Sequence, residues 1–268
     1  MLDQSFEHTA FPAPRKEGKL GDIAYSQIYD AIMDCRLKPG EVFREASLCE
    51  QFGLRLAPTR GALARLGHAG LVRSEKRRGW RVLEISGRHL SDLSLGRELL
   101  EPALAQCGFD RQFAGEFAMR ARIVAAQLGG GPASPQAIRL ELSLLRHLAA
   151  ALREPRVRRW LVETWDLCAR ADTHFITVTG MRRETLDVER IAAAVAANDT
   201  AALETELRLG REAFRARSAE ALAGSATAIV AETAPERPET RQSTWSGERT
   251  DIAPTSLRPS QSTQGEDR

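Results

Sequence analysis

Apolar residues recur at helical spacing through most of this chain, and the pattern changes only between about residues 70 and 86. Ala24, Ile28, Ile32 and Cys35 fall three or four apart behind Asp22, which predicts an amphipathic helix over Gly21–Cys35. Leu37-Lys38-Pro39-Gly40 is a turn signal that ends it. Leu48 and Phe52 place a short second helix over Glu45–Phe52, with Gly53 as its C-terminal glycine. A third helix, Pro58–Gly67, opens on a proline, whose missing N–H would be unpaired in a first turn anyway. It sets Ala62, Leu63 and Leu66 on one face. Ala69-Gly70 breaks it, and a hairpin follows. Gly70 to Ser74 is one arm, Lys76-Arg77-Arg78-Gly79 the tip and Trp80 to Ile85 the other arm, with Gly79 supplying the backbone freedom a tight tip needs.

Ser86-Gly87 marks a boundary, after which no strand alternation persists. Helices are expected near 88–107, 109–128, 134–153, 155–178, 182–197 and 199–222, with Gly, Pro and Asn-Asp breaks between them. Helices of this length on short turns make an antiparallel bundle. Residues 1–18 have mixed charge, prolines and no period, and read as a mobile, solvated arm, although Arg15, Lys16 and Lys19 are of the kind that can track a DNA backbone. From Gly224 to the end Ser, Thr, Pro, Glu and Arg dominate, a composition that reads as a disordered tail. The expected order is thus an arm (1–18), a compact N-terminal domain (19–86), a helical domain (87–223) and a tail (224–268).

Charge gives the N-terminal domain its chemistry. The formal net charge is only +2. Yet Arg55, Arg60, Arg65, Arg73, Lys76, Arg77, Arg78 and Arg81 crowd onto one helix and the hairpin, with Glu75 the only acid among them. A helix followed by a basic hairpin is what a winged helix-turn-helix presents to DNA. The fold class expected is therefore mainly α, an N-terminal winged helix-turn-helix followed by an all-helical antiparallel bundle. Turning Ala62, Leu63 and Leu66 inward leaves Ala57, Gly61 and Ala64 outward, small enough for close backbone approach, with Arg60 and Arg65 flanking them.

Other classes find little support. Cys35, Cys49, Cys107 and Cys168 form no C-x-x-C pair and suit reduced, cytoplasmic thiols. The N-terminus has no apolar signal region, and no run of residues suggests a membrane span. There is no phosphate-binding Gly-rich loop, nucleophile elbow or metal-hydrolase motif, so an enzyme is not expected and no catalytic residue is assigned.

The segment LKPGEVFREASLCEQFGLRLAPTRGALARLGHAGLVRSEKRRGWRV resembles the DNA-binding domain of GntR-type bacterial transcription regulators, in its L-x-P-G, its P-x-R-x-A-L-x-R-L and its R-R-G. The helical part, beginning LSLGRELLEPALA, resembles the FCD branch of that family through Arg97, Leu100, Glu101 and Pro102, with Leu104 where an alanine is usual. The resemblance implies a homodimer on a palindromic operator in double-stranded DNA, a repressor of a metabolic operon that senses a small organic acid. The candidate DNA-facing residues are Arg55 just ahead of the third helix, Thr59, Arg60 and Arg65 on it, and Lys76, Arg77, Arg78 and Gly79 at the wing. Arg55-Leu56 stand where relatives usually carry Ser-Arg, and Gly61 where they carry an acid, so the operator is expected to differ.

The same branch commonly holds a divalent metal with one Asp and three His. The matching positions here are Glu141, Leu145, Val188 and Gly210, three of which cannot coordinate, so no metal is expected; His147 and His174 enter only in a shifted register. A carboxylate effector would then need a cationic anchor. Arg97 is the first candidate, with a pair to Glu101 one turn on as the other use of that side chain, and Arg139 and Arg146 follow. The remaining alternative is a constitutive DNA-binding dimer whose helical domain senses nothing.

Overall fold

The computed structural model describes residues 20–129 and 131–224. The expected arm over 1–18 and all of the expected tail except Gly224 lie outside the described residues. The first part of the chain runs α1 (Leu20–Met33), β1 (Val42–Phe43), α2 (Glu45–Phe52), α3 (Leu56–His68), β2 (Val72–Glu75) and β3 (Gly79–Val82). The strands form one antiparallel sheet of order β1-β3-β2, with Val42 and Arg73 both opposite Arg81. This is a winged helix-turn-helix. Ala24, Ile28 and Ile32 of α1 pack against Leu48 of α2 and Ala62, Leu63 and Leu66 of α3, and Val72 and Val82 close the core from the sheet.

The rest is helical: α4 (Gly87–Leu100), α5 (Pro102–Ala105), α6 (Arg111–Leu128), α7 (Pro135–Ala149), α8 (Pro155–His174), α9 (Val188–Ala196) and α10 (Thr200–Gly224). Side chains of Ser86, Asp110 and Ser134 accept the N–H three residues on and so cap α4, α6 and α7. A core of leucine, alanine, valine and phenylalanine from α6, α7, α8, α9 and α10 holds the bundle together.

Several element boundaries depart from the sequence reading. α3 begins at Leu56, so Pro58 is the third helical residue, still within the turn whose N–H groups have no helical partner. β1 is two residues long and gives no alternation to read. The expected helix 88–107 is split at Glu101-Pro102, because Pro102 has no N–H for the ladder. α8 ends at His174 and passes into a π-helical turn, Phe175–Thr179, which Gly180 closes in the left-handed region. The helix expected at 182–197 starts only at Val188, because the Arg183 side chain turns into the bundle and the Leu186 N–H bonds to Glu141 instead of to a helical carbonyl. α10 runs to Gly224, the first residue of the segment read as tail.

Candidate DNA-binding surface and ligand cavities

α3 presents the outward face its sequence implies. Ala57, Gly61 and Ala64 are exposed while Ala62, Leu63 and Leu66 are buried. Arg55 is its N-cap and offers no side-chain cap, so the first-turn N–H groups stay open, the arrangement that suits phosphate oxygens. Thr59 does not join this face. It is fully buried, its hydroxyl donates to the Arg55 carbonyl at 3.0 Å, and the Cys49 thiol donates to it at 3.5 Å. Contrary to the sequence expectation, its side chain is not on the outward face; it ties the start of α3 to α2.

The basic residues divide into two groups. Arg60 pairs with Glu45 at 2.6 Å through Nε. Arg65 pairs with Asp22 at 2.8 Å and lies over the Tyr25 ring at 4.1 Å. Arg73 and Arg81 share Glu75 and Glu84, and Arg81 holds the Glu75 carboxyl below the usual carboxylate range by a hydrogen bond. Arg55, Lys76, Arg77 and Arg78 are exposed and have no ion pair among the described residues. Arg44, exposed at the N-cap of α2, joins them. Sequence reasoning missed it because it stands alone, outside the basic run.

The wing loop is Lys76-Arg77-Arg78, one residue shorter than expected. Arg77 takes the left-handed conformation (φ 64), and Gly79 already belongs to β3, paired with Glu75. Gly79 is needed for the sheet: a Cβ there would stand 2.2 Å from the Phe43 carbonyl oxygen. Its role is to let β1 close on the wing, so it leaves the set of tip residues.

The helical part holds a cavity of about 310 Å³, lined in part by Arg97, Glu141, Asp172, Arg183, Gly210 and Arg217. Arg97 is buried and engaged. Nε donates to Glu101 at 2.6 Å and Nη1 to the Gly210 carbonyl at 3.2 Å, while Trp165 and Arg211 also donate to Glu101. The pair with Glu101, rather than an open anchor, is what the structure builds. Arg183, which the sequence did not single out, donates from Nη2 to Glu141 at 2.6 Å and from Nε to Asp172 at 2.9 Å. Arg217 grips Asp172 with two bonds of 2.8 and 2.9 Å. The Nη1 of Arg183 is buried with no acceptor.

These residues do not fit a divalent metal. Glu141 is taken by Arg183 and the Leu186 N–H, Leu145 and Val188 have no donor atoms, and Gly210 lies against the Arg97 guanidinium. His147 is stacked 5.3 Å from Phe113 and 6.1 Å from Phe117, and burial lowers its pKa. Among the described residues no cluster of His, Cys, Asp or Glu is arranged to hold a metal.

Arg139 and Arg146 are not in that cavity. They line a second one, about 490 Å³, between α1 of the winged part and α7 and α8, together with Arg36, Arg170, Asp30 and Asp34. Ile138, Leu142 and Ala169 border both cavities. At this joint the Tyr29 hydroxyl donates to Asp166 at 3.0 Å, and Arg146 pairs with the same carboxylate at 2.7 Å. Burial outweighs both partners and pushes the Asp166 pKa up to about 6.

Residues 20–82 match the family described as bacterial regulatory proteins, gntR family. The fold is similar to a solved structure described as E. coli McbR/YncC, at 18% identity and a TM-score of 0.62, over 76% of this chain and 99% of that one. A transcriptional regulator GntR from Rhodococcus sp. RHA1 is similar at 20% identity and 0.54, over 76% and 98%. No curated protein sequence matches. No helix among the described residues is long and apolar enough to cross a membrane.

Proposed function

From a chain whose residues 20–82 are a gntR-family helix-turn-helix domain, we propose a ligand-responsive repressor that binds a palindromic operator as a homodimer. The observation that carries the reading is the set of unpaired cations Arg44, Arg55, Lys76, Arg77 and Arg78 around the small-residue face of α3. Unpaired surface cations release counterions from DNA, whereas paired ones must first give up a carboxylate. Arg60 has its Nε held by Glu45 beside that face, which preorganises its guanidinium for a base edge. Leu95 and Leu99, one turn apart on α4, and Trp160 on α8 give an exposed apolar face for the second protomer. Gly96 brings α8 close, since a Cβ there would be 3.3 Å from Thr164.

The effector, a small organic acid, goes to the 310 Å³ cavity, whose lining includes Arg183, a guanidinium with one N–H group still without an acceptor. A constitutive dimer remains the second reading, favoured by one feature of that cavity: Arg97, Arg183 and Arg217 already face internal carboxylates. Genome-wide mapping of the DNA sites of the full chain tests the function. Clustered sites with a shared palindrome are expected, and Arg60→Ala should abolish specific shift of that sequence in a gel at fixed salt while the fold stays intact. Unaltered affinity of the Arg60→Ala variant would overturn the assignment. Thermal unfolding against a panel of organic acids separates the two readings, because only a ligand-binding cavity gives stabilisation that follows concentration.

A further inference from the structure

Among the described residues, Arg170 is the most buried charge without a carboxylate partner. It is 1% exposed. Nε donates to the Ile32 carbonyl at 3.3 Å, Nη2 to the Leu83 carbonyl at 2.6 Å, and Nη1 has no acceptor. Guanidinium groups taken out of water are normally paired, because an uncompensated buried charge is strongly unfavourable. Two carbonyl dipoles do not neutralise a unit charge, and burial draws the pKa of Arg170 down to about 10.

The same side chain lines the 490 Å³ cavity at the joint, where Arg36, Arg139 and Arg146 also stand. Asp30 and Asp34 oppose them, leaving positive charge in excess among the lining residues. Arg139 and Arg36 reach Asp34 at 2.9 and 3.8 Å, both with about half of each side chain in solvent, so these pairs can open toward an incoming anion. The bundle cavity differs, since its buried arginines find internal carboxylates.

We propose that the cavity between α1, α7 and α8 is a second ligand site, which takes a small oxyanion, carboxylate or phosphate, with Arg170 as its buried counter-charge. Its volume is that of a small-molecule site. Arg170 supplies an uncompensated positive charge at the cavity wall, and Arg139 and Arg36 exchange Asp34 for the ligand. The site bears directly on the winged part, because the other two Arg170 bonds hold the end of α1 and the residue after β3. Occupancy therefore fixes the tie between α8 and the winged part, independently of whether the bundle cavity is filled.

Calorimetric titration of the full chain without DNA tests this, with inorganic phosphate and succinate as separate probes replacing chloride at constant ionic strength. At least one probe should bind saturably, and which of the two binds tells a phosphate ligand from a carboxylate one. Arg170→Met, checked for folding by circular dichroism, should lose one binding site for each probe that binds the joint cavity, whereas a site in the bundle cavity, which Arg170 does not line, stays. If that variant does not fold, Arg36→Gln with Arg139→Gln, both at exposed positions, should weaken binding about tenfold or more, as expected for lost charge-assisted bonds. Absence of saturable binding by both probes overturns the proposal. So does a number of sites unchanged in folded Arg170→Met, or affinity at that site unchanged in the double variant.

Discussion

The two halves of this chain treat arginine in opposite ways. In the winged part the core is apolar, and Thr59 is the only buried polar or charged side chain among the described residues before Ser86, the tyrosines aside. Its arginines lie outside, some held by Asp22, Glu45, Glu75 or Glu84 and the rest open to solvent. In the helical part Arg97, Arg183 and Arg211 are buried against Glu101, Glu141 and Asp172, while Arg170 is buried on two backbone carbonyls. Surface cations contribute little to stability and much to meeting a polyanion. Buried pairs do the reverse: they fix one arrangement of the helices, and removing one partner exposes the other to the full desolvation cost. The same residue type thus stays at the surface in one half, open to a polyanion, and holds helices together in the other, with α8 between them. Asp166 and Arg170 face the winged part from that helix, and Asp172 faces the bundle cavity.

This contrast can be broken by moving charge. The largest effect is expected from Arg183→Ala, which strands Glu141 and takes one of two guanidinium partners from Asp172. Loss of about 3–5 kcal/mol is expected, read as a fall in the urea midpoint of the helical signal. A cost below about 0.5 kcal/mol, the usual range for a surface substitution, would place this network with the wing cations and erase the distinction.

The joint gives a smaller, pH-dependent effect. Asp166 keeps its proton up to about pH 6 in the folded protein, against an ordinary 3.8. The unfolded chain loses it first, so folding is favoured on the acid side and this contribution is lost as pH rises from about 4 to 6. The drop is on the order of 2–3 kcal/mol. Asp166→Asn should flatten that part of the stability profile relative to the parent chain; a profile that keeps its full slope would mean that Asp166 titrates normally.

Much of the winged part was legible in the sequence because its signals are local. Helical spacing, Pro39-Gly40, Gly53 and a basic hairpin each act within a few residues. What escaped was three-dimensional. The direction of Thr59 depends on how α2 and α3 cross, and β1 exists only because Phe43 pairs with Trp80. In the helical part the spans were roughly right, and the Arg97–Glu101 pair, one turn apart, was legible, but the distant partners were not. Glu141 and Arg183 are 42 positions apart, Arg139 and Asp34 are 105 apart, and Arg170 and Ile32 are 138 apart. No periodicity marks such partners. This is why Arg183 was missed and why Arg139 and Arg146 were grouped with Arg97, although α7 and α8 divide them between two cavities.

The smallest effect sharpens the winged half. Thr59→Val removes the hydroxyl's bond to the Arg55 carbonyl and the weak one it accepts from the Cys49 thiol, at nearly constant volume, and should cost about 1 kcal/mol of stability. DNA affinity, measured well below the unfolding transition, should stay as it was. A selective loss of affinity without loss of stability would return Thr59 to the DNA face.

The most direct measurement of the central claim is the salt dependence of duplex DNA binding by the full chain and by the Lys76→Ala/Arg77→Ala/Arg78→Ala variant. If the unpaired wing cations meet phosphates, the slope of log K against log salt should become shallower by about 0.9 for each lost contact, or roughly 2.7 per bound protomer. The thermal midpoint should not move. An unchanged slope at unchanged stability would contradict the account, showing that the open cations of the wing are not where this protein meets DNA.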